Sequence, residues 1–113
     1  MSVRSNRVAE QVRKEITQML IKDVNDPRVK AVTVTGVEVT GDLQQATIFY
    51  SVLGDEKVRD DARIGLEKSK GFMRKEIGSR IRLRKTPELM FEIDTSVEYG
   101  SRIDELLRNL NKD

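Results

Sequence analysis

A helical pattern over residues 56–81 constrains the fold of this chain more than any other feature of the sequence. Apolar side chains recur there every four or seven residues, as in a helix with one buried face: Val58, Ala62, Leu66, Met73, Ile77 and Ile81. A straight helix of 26 residues is about 39 Å long, whereas a compact domain of 113 residues has a radius of gyration of about 13 Å. Because an interior glycine costs a helix roughly 1 kcal/mol, we expect a kink at Gly71 between two helices.

The segments before this pattern predict one helix and a pair of strands. Residues 6–22 carry a single apolar stripe and predict an amphipathic helix capped by Ser5 or Asn6. Residues 31–40 and 44–53 alternate in polarity and predict two strands. We expect a bulge at Gly36 and a two-residue hairpin turn at Gly41-Asp42, with glycine in the first position.

The segments after the pattern complete a mixed domain. Pro87 begins a third predicted strand, and residues 103–110 predict a short amphipathic helix. The order predicts a single α+β domain over residues 1–113, in which helices pack on one face of a three-stranded sheet.

Composition excludes most catalytic chemistry. The chain has no Cys and no His, so it lacks disulfides, thiolate nucleophiles and the commonest general base and metal ligand. No phosphate-cradling GxxxxGK[ST] or GxGxxG motif is present. The acid pairs Asp55-Glu56 and Asp60-Asp61 are interpreted as acidic helix starts rather than a Mg²⁺ site. We therefore expect no enzymatic activity, cofactor or metal. The N-terminus lacks a secretory signal and no apolar run reaches membrane-spanning length, which favours the cytoplasm.

The positive charge is concentrated in residues 68–85, where the local charge is +7 in a chain of net charge +2. Arg80, Arg82 and Arg84 alternate with Ile81 and Leu83, which in an extended segment places the guanidinium groups on one side. Guanidinium matches phosphate in bidentate geometry, so this segment predicts binding of nucleic-acid backbone. A solvated surface, balanced by acids distant in sequence, is the alternative interpretation. The candidate RNA-binding residues are Lys68, Lys70, Arg74, Lys75, Arg80, Arg82, Arg84 and Lys85, with Arg4 and Arg7 as lesser contributors.

Aromatic side chains for stacking on bases are few. The chain has five, at positions 49, 50, 72, 91 and 99. Phe49 and Tyr50 lie on opposite faces of one predicted strand, and both are expected to be buried or half-buried. We therefore expect recognition mainly of nucleic-acid backbone and shape.

The predicted order αββααβ, with a lysine-rich helix pair, resembles a type II KH domain without the usual GxxG loop. The sequence is similar to the ribosome-binding factor A family along nearly its whole length. The opening Arg4-x-x-Arg7-Val8-Ala9 and the turn at residues 26–28 match, and residues 70–94 are the strongest match. Val97, Gly100, Ile103 and Leu107 resemble the family's closing helix. The resemblance implies an Ala-x-Gly kink in place of GxxG, and here Ser69 and Gly71 occupy that kink.

The resemblance also implies a function. A protein of this family is expected to be cytoplasmic and non-catalytic and to bind the free small (30S) ribosomal subunit through 16S rRNA late in maturation. It implies links to processing of the 16S rRNA precursor and to growth in the cold. We expect a monomer that binds neither membrane nor DNA. The alternative is a KH-like RNA-binding or protein-interaction module not specific to the ribosome, whose acid-rich residues 86–113 contact basic proteins.

Overall fold

The structure of the protein is a computed structural model that describes residues 3–95. Helix α1 spans Val3–Lys22, and a single 3₁₀ turn, Pro27–Val29, follows it. Strands β1 and β2 span Val32–Val39 and Gln45–Val52. Helix α2 spans Glu56–Arg80, and strand β3 spans Glu88–Ile93. The α+β class with a three-stranded sheet is confirmed for residues 3–95. The predicted helix over residues 103–110 lies outside the described residues.

The three strands form one sheet in the order β1-β2-β3. Strand β1 pairs antiparallel with β2, and β3 pairs parallel with β2, so α2 is the crossover between two adjacent parallel strands. The register shifts between Val34 and Gly36, which confirms the predicted bulge. Both helices bury their apolar stripes against one face of the sheet. That face includes Val39, Ala46, Ile48, Tyr50 and Leu89, all of which are buried in the core.

Helix α1 buries the stripe that the sequence predicts, including Val12, Ile16 and Met19, each with no exposed surface. It begins three residues earlier than predicted, at Val3. Ser5 therefore lies inside the first turn, where it is fully buried, rather than capping the helix. Because the stripe repeats with helical spacing from Ser5 to Leu20, burial extends along most of the helix.

The hairpin turn differs from the prediction. Residues 40–44 connect β1 to β2, and Leu43, not Gly41, adopts the left-handed backbone conformation, with φ of 61°. The Asp42 carboxylate accepts hydrogen bonds from the Thr40 hydroxyl at 2.6 Å and the Gln44 N–H at 3.1 Å. The Thr40 hydroxyl oxygen in turn accepts the Gln45 N–H at 3.1 Å. These bonds hold a longer loop, because a short Asp side chain can bond to backbone two residues ahead.

Helix α2 is continuous through Gly71, so the predicted division into two helices is wrong. The Asp55 carboxylate caps its start by accepting the Val58 N–H at 3.0 Å. Leu66 and Met73 are both fully buried, which shows that the apolar face stays in phase across the glycine. A single long helix is accommodated because successive parts of α2 pack on different partners. Its middle packs on the Pro27–Val29 turn, and its end contacts α1 and the connection to β3.

The glycines that α2 needs for packing are Gly65 and Gly78 rather than Gly71. A Cβ placed on Gly65 would lie 2.9 Å from Val29 Cγ1 and 3.2 Å from Arg28 Cβ. A Cβ on Gly78 would lie 2.5 Å from the Thr86 hydroxyl oxygen. A Cβ on Gly71 would meet no atom within 4 Å. The absence of a side chain therefore permits close packing at two positions and leaves open surface at the third.

We predict opposite effects of alanine at two of these positions. Gly65→Ala should lower the free energy of unfolding by about 1–3 kcal/mol, because its Cβ overpacks against the buried Val29. Gly71→Ala should raise it by up to about 1 kcal/mol, because alanine favours helix and meets open space. Urea unfolding of both variants measures the difference. A Gly71→Ala variant less stable than the parent would restore the interpretation of a structurally required kink.

Candidate nucleic-acid interface

The basic segment, residues 68–85, occupies the second half of α2 and most of the irregular connection, residues 81–87, that leads to β3. Ile81 is buried and Leu83 packs against the core, so both anchor the connection. Arg82 and Arg84 are exposed between and beyond these anchors, and Lys85 is exposed beside them. The alternation that the sequence predicts is therefore present over residues 81–84.

Arg80 does not belong to that alternation, because it is the last residue of α2. Its guanidinium forms ion pairs with Asp23 at 2.9 Å, Glu76 at 3.1 Å and Glu15 at 3.2 Å. The hydrogen bond to Asp23, followed by that to Glu15, raises the pKa of Arg80 above its already high value. Three carboxylates on one cation leave a negative local charge. Arg80 therefore joins α1 to α2, and the prediction that it extends a row of exposed guanidinium groups is wrong.

Two further basic residues of the segment have intramolecular partners. Arg74 donates from Nε to the Pro87 carbonyl at 3.2 Å and from Nη2 to the Thr86 carbonyl at 3.1 Å. It also forms an ion pair with Glu88 at 3.2 Å. Lys70 pairs with Glu67, one turn earlier, at 2.9 Å. Arg74 thus fixes the position at which the connection enters β3, and Glu88 partly compensates its positive charge.

The remaining cations of the segment face solvent. Within residues 3–95, no carboxylate forms an ion pair with the exposed side chains Lys68, Lys75, Arg82, Arg84 or Lys85. Arg4 and Arg7 are exposed too, on the first turns of α1. Arg4 lies 11 residues before Glu15, or about 16 Å along the helix axis, so it is well separated from the Arg80 cluster. Within residues 3–95, the predicted candidates therefore divide into five exposed cations without an ion pair, three paired cations and two remote ones. Among the five, Lys68 lies near enough to Asp26 to help lower the pKa of that carboxyl.

A shallow groove runs beside the exposed Gly71. Arg74 and Lys75 line it from α2, and Thr86 lines it from the connection. Gly71 contributes only backbone, which lets a ligand approach the helix closely at this point. Ser69, the other predicted kink residue, is half-buried and faces a second groove on the other side of α2. Sequence reasoning assigned both residues to a kink, whereas the structure places each beside a surface groove.

The aromatic side chains include one exposed ring for which the sequence analysis gave no expectation. Tyr50 is buried, and Phe49 is half-buried on the face of the sheet opposite the helices, as expected. Phe72 is exposed on α2 within the basic segment, and sequence reasoning did not single it out. The helical periodicity contains the signal, because Phe72 directly precedes Met73 of the buried stripe and so points away from it.

The turn between α1 and β1 positions one wall of the second groove. The Asp26 carboxylate accepts hydrogen bonds from the Arg28 N–H at 3.0 Å and from Arg28 Nη2 at 2.7 Å. These bonds lower the pKa of Asp26 from 3.8 to about 2. The geometry of the turn therefore depends on an ionised Asp26. Because Val29 of this turn packs closely against Gly65, the turn also determines how near α2 lies.

We predict that this carboxylate makes stability sensitive to acid. Because folding lowers its pKa from 3.8 to about 2, its contribution is complete above pH 3.8 and is lost as the pH falls toward about 2. Asp26→Asn should therefore be less stable than the parent near neutral pH and should lose less stability over the acid range. Urea unfolding at several pH values measures both. Asp60→Asn, on the exposed surface of α2, is the control and should change little. Parallel acid curves for Asp26→Asn and the parent would contradict the prediction.

Neither a membrane span nor a metal cluster is present among residues 3–95. In this part of the chain, no helix is long and apolar enough to cross a bilayer. The same residues contain no group of three or more acidic side chains placed to hold a metal ion.

The order α1-β1-β2-α2-β3, with a basic helix end beside an irregular connection, defines an α+β domain of KH-like architecture. The family model for ribosome-binding factor A matches residues 4–107, and the chain belongs to that family.

Structures of ribosome-binding factor A proteins share this fold. The solution structure of a ribosome-binding factor A homologue from Thermotoga maritima is 29% identical, with a TM-score of 0.70 over 81% of this chain and 88% of that chain. The crystal structure of ribosome-binding factor A from Thermus thermophilus is 20% identical, with a TM-score of 0.67 over 79% of this chain and 94% of that chain. A homology model of the Thermus thermophilus factor, fitted into a cryo-EM map of its 30S complex, has a TM-score of 0.55 at 20% identity. It covers 73% of this chain and 90% of that chain.

Proposed function

We propose that this protein is a non-catalytic assembly factor that binds the free 30S subunit through 16S rRNA in the cytoplasm. Binding assists late maturation of the subunit and processing of the 16S rRNA precursor. Family membership supports the ribosomal partner. The observation that supports RNA binding is a set of exposed cations on α2 and the adjoining connection that form no ion pair within residues 3–95: Lys68, Lys75, Arg82, Arg84 and Lys85.

These cations suit a folded RNA backbone. Arg82 and Arg84 project from a connection that Ile81 and Leu83 anchor to the core, so little conformational freedom is lost when they bind phosphate. Their guanidinium groups can each engage a phosphate through two N–H donors. Lys75 lines the groove beside Gly71, where an RNA backbone can approach the helix closely. We leave Arg80 out of the proposed contact set, because three carboxylates already neutralise it.

Such binding assists maturation without a source of energy. A protein that binds one rRNA conformation more tightly than another shifts the population toward the first, by an amount equal to the difference in affinity. A difference of about 2.7 kcal/mol favours one conformation a hundredfold. Processing of rRNA ends then follows from the shape offered to separate nucleases. The bound protein is expected to leave before the large subunit joins.

We predict that the free cations determine the salt dependence of RNA binding. Replacing Arg82, Arg84 and Lys85 together with Gln should weaken binding to 16S rRNA fragments. It should also flatten the log–log salt slope by about 2, at roughly 0.7 for each lost phosphate contact. Filter binding or fluorescence anisotropy at several salt concentrations measures both quantities.

A matched control removes the same charge elsewhere. Lys30, Lys57 and Arg63 are exposed and lie outside the basic segment, so their triple replacement by Gln changes the net charge equally. This control should retain most of the affinity and nearly the parent slope. Equal losses in the two triple variants would show that only net charge matters and would reject the proposed interface.

The ribosomal assignment predicts a sedimentation profile. In a cell extract the protein should co-migrate with free small subunits and should be scarce on whole ribosomes and polysomes. The Arg82, Arg84 and Lys85 triple variant should shift toward the top of the gradient. Migration of the parent mainly with polysomes or DNA would reject the assignment and leave the KH-like module that is not specific to the ribosome.

A further inference from the structure

Phe72 is the most exposed aromatic side chain of the described residues, with 44% of its surface accessible. It lies on α2 in the middle of the basic segment, one position before the fully buried Met73. A single exposed apolar side chain is common on protein surfaces, so the exposure of Phe72 matters only with its surroundings. An aromatic ring beside a groove and among cations can stack on a nucleobase.

The second groove lies against this ring. Helix α2 contributes Lys68, Ser69 and Phe72. Phe72 follows Ser69 by three residues and Lys68 by four, so its ring lies beside both of them on the helix surface. The loop that follows α1 forms the opposite wall with residues 23–26. The groove thus combines an aromatic ring and an ammonium group on one wall with amide and carboxylate groups on the other.

The charges of the two walls distinguish a base from a phosphate. Asp23 and Asp26 lie on the loop wall and are held in place by Arg80 and Arg28. The arginines compensate much of their charge, but the carboxylate oxygens of Asp23 and Asp26 and the amide oxygen of Asn25 are hydrogen-bond acceptors. Such a wall suits the amino groups of a partner better than a phosphate, which also presents acceptors. Nucleobases carry such amino groups on their edges and have a flat face for stacking. Lys75 is exposed within one turn of Phe72 and can contact a flanking phosphate. Lys68 lies near enough to Asp26 to help lower the pKa of that carboxyl, so its charge is shared with the loop wall.

We propose that this groove binds a single unpaired nucleobase of the bound RNA, stacked on Phe72, with its amino edge toward residues 23–26. The inference rests on the proposed RNA-binding function and adds to it a base-reading position. Adenine, cytosine and guanine present an exocyclic amino group, and uracil does not. The groove should therefore discriminate against uracil at that position.

The experiment uses a hairpin RNA with one bulged adenosine and a matched hairpin whose bulge is abasic. Phe72→Leu should weaken binding of the adenosine hairpin between about fivefold and a hundredfold, since stacking on an aromatic side chain is worth about that much. The same variant should bind the abasic hairpin as the parent does, with an unchanged salt slope. Because Phe72 is exposed, Phe72→Leu leaves the core intact, and circular dichroism checks the fold.

A spectroscopic variant gives an independent readout. The chain contains no Trp, so Phe72→Trp introduces a single indole at the groove. Its fluorescence should be quenched by the adenosine hairpin and much less by the abasic one. Phe49→Trp, on the opposite face of the sheet, is the control and should report no difference between the two hairpins.

Three results would overturn the inference. One is equal quenching of the Phe72→Trp indole by both hairpins, and another is unchanged affinity of Phe72→Leu for the adenosine hairpin. The third is a Phe72→Leu variant that binds whole small subunits more weakly than the parent but binds both hairpin RNAs as the parent does. That result would assign the groove to a protein partner. Failure of the proposed function gives a different result, because the parent would then bind neither hairpin in a salt-dependent way. Failure of the base-stacking inference alone leaves salt-dependent binding of both hairpins intact.

Discussion

The parallel pairing of β2 with β3 is the constraint on which the rest of this structure depends. Two adjacent parallel strands require a crossover that returns along the length of the sheet, and α2 is that crossover. The helix must then pack against the turn after α1, against α1 itself and against the connection to β3. Gly65 and Gly78 meet this requirement, because a side chain at either position would collide with its neighbour. The continuity of α2 through Gly71 follows from these contacts on both sides of it.

The same packing separates cations that are equivalent in the sequence. At the end of α2, Arg80 reaches back to α1 and is neutralised by Glu15, Asp23 and Glu76. Arg74 is held by the backbone carbonyls of Thr86 and Pro87. Ion pairs at a protein surface contribute modestly to stability, yet they determine which charges remain for a ligand. A segment of local charge +7 therefore presents a smaller group of free cations, arranged on one helix end and its connection.

Family membership and surface chemistry support different parts of the functional proposal. The match over residues 4–107 gives the ribosome-binding factor A family, and the structural likeness to relatives near 20% identity gives the fold. The residues proposed to bind RNA come instead from exposure and ion pairing in this chain. The groove beside Phe72 is proposed to add a position for one base to an interface that is proposed to bind backbone. Backbone contacts supply affinity, salt dependence and register, whereas contacts with a base supply sequence discrimination.

The sequence by itself determined the α+β class, the helical and strand segments, the buried stripes, the bulge at Gly36 and the position of the basic segment, because each depends on local periodicity or composition. The closing helix predicted for residues 103–110 lies outside the described residues. Only the tertiary structure decided that Gly71 lies within a continuous helix, that Leu43 adopts the left-handed conformation in the hairpin, and that Arg80 pairs with three carboxylates. The exposure of Phe72 beside the loop after α1 was decided in the same way. The Arg80 cluster and the groove beside Phe72 depend on contacts between residues up to 65 positions apart, and no spacing within one segment shows which distant residues will meet. The Leu43 conformation depends instead on a set of hydrogen bonds within residues 40–45.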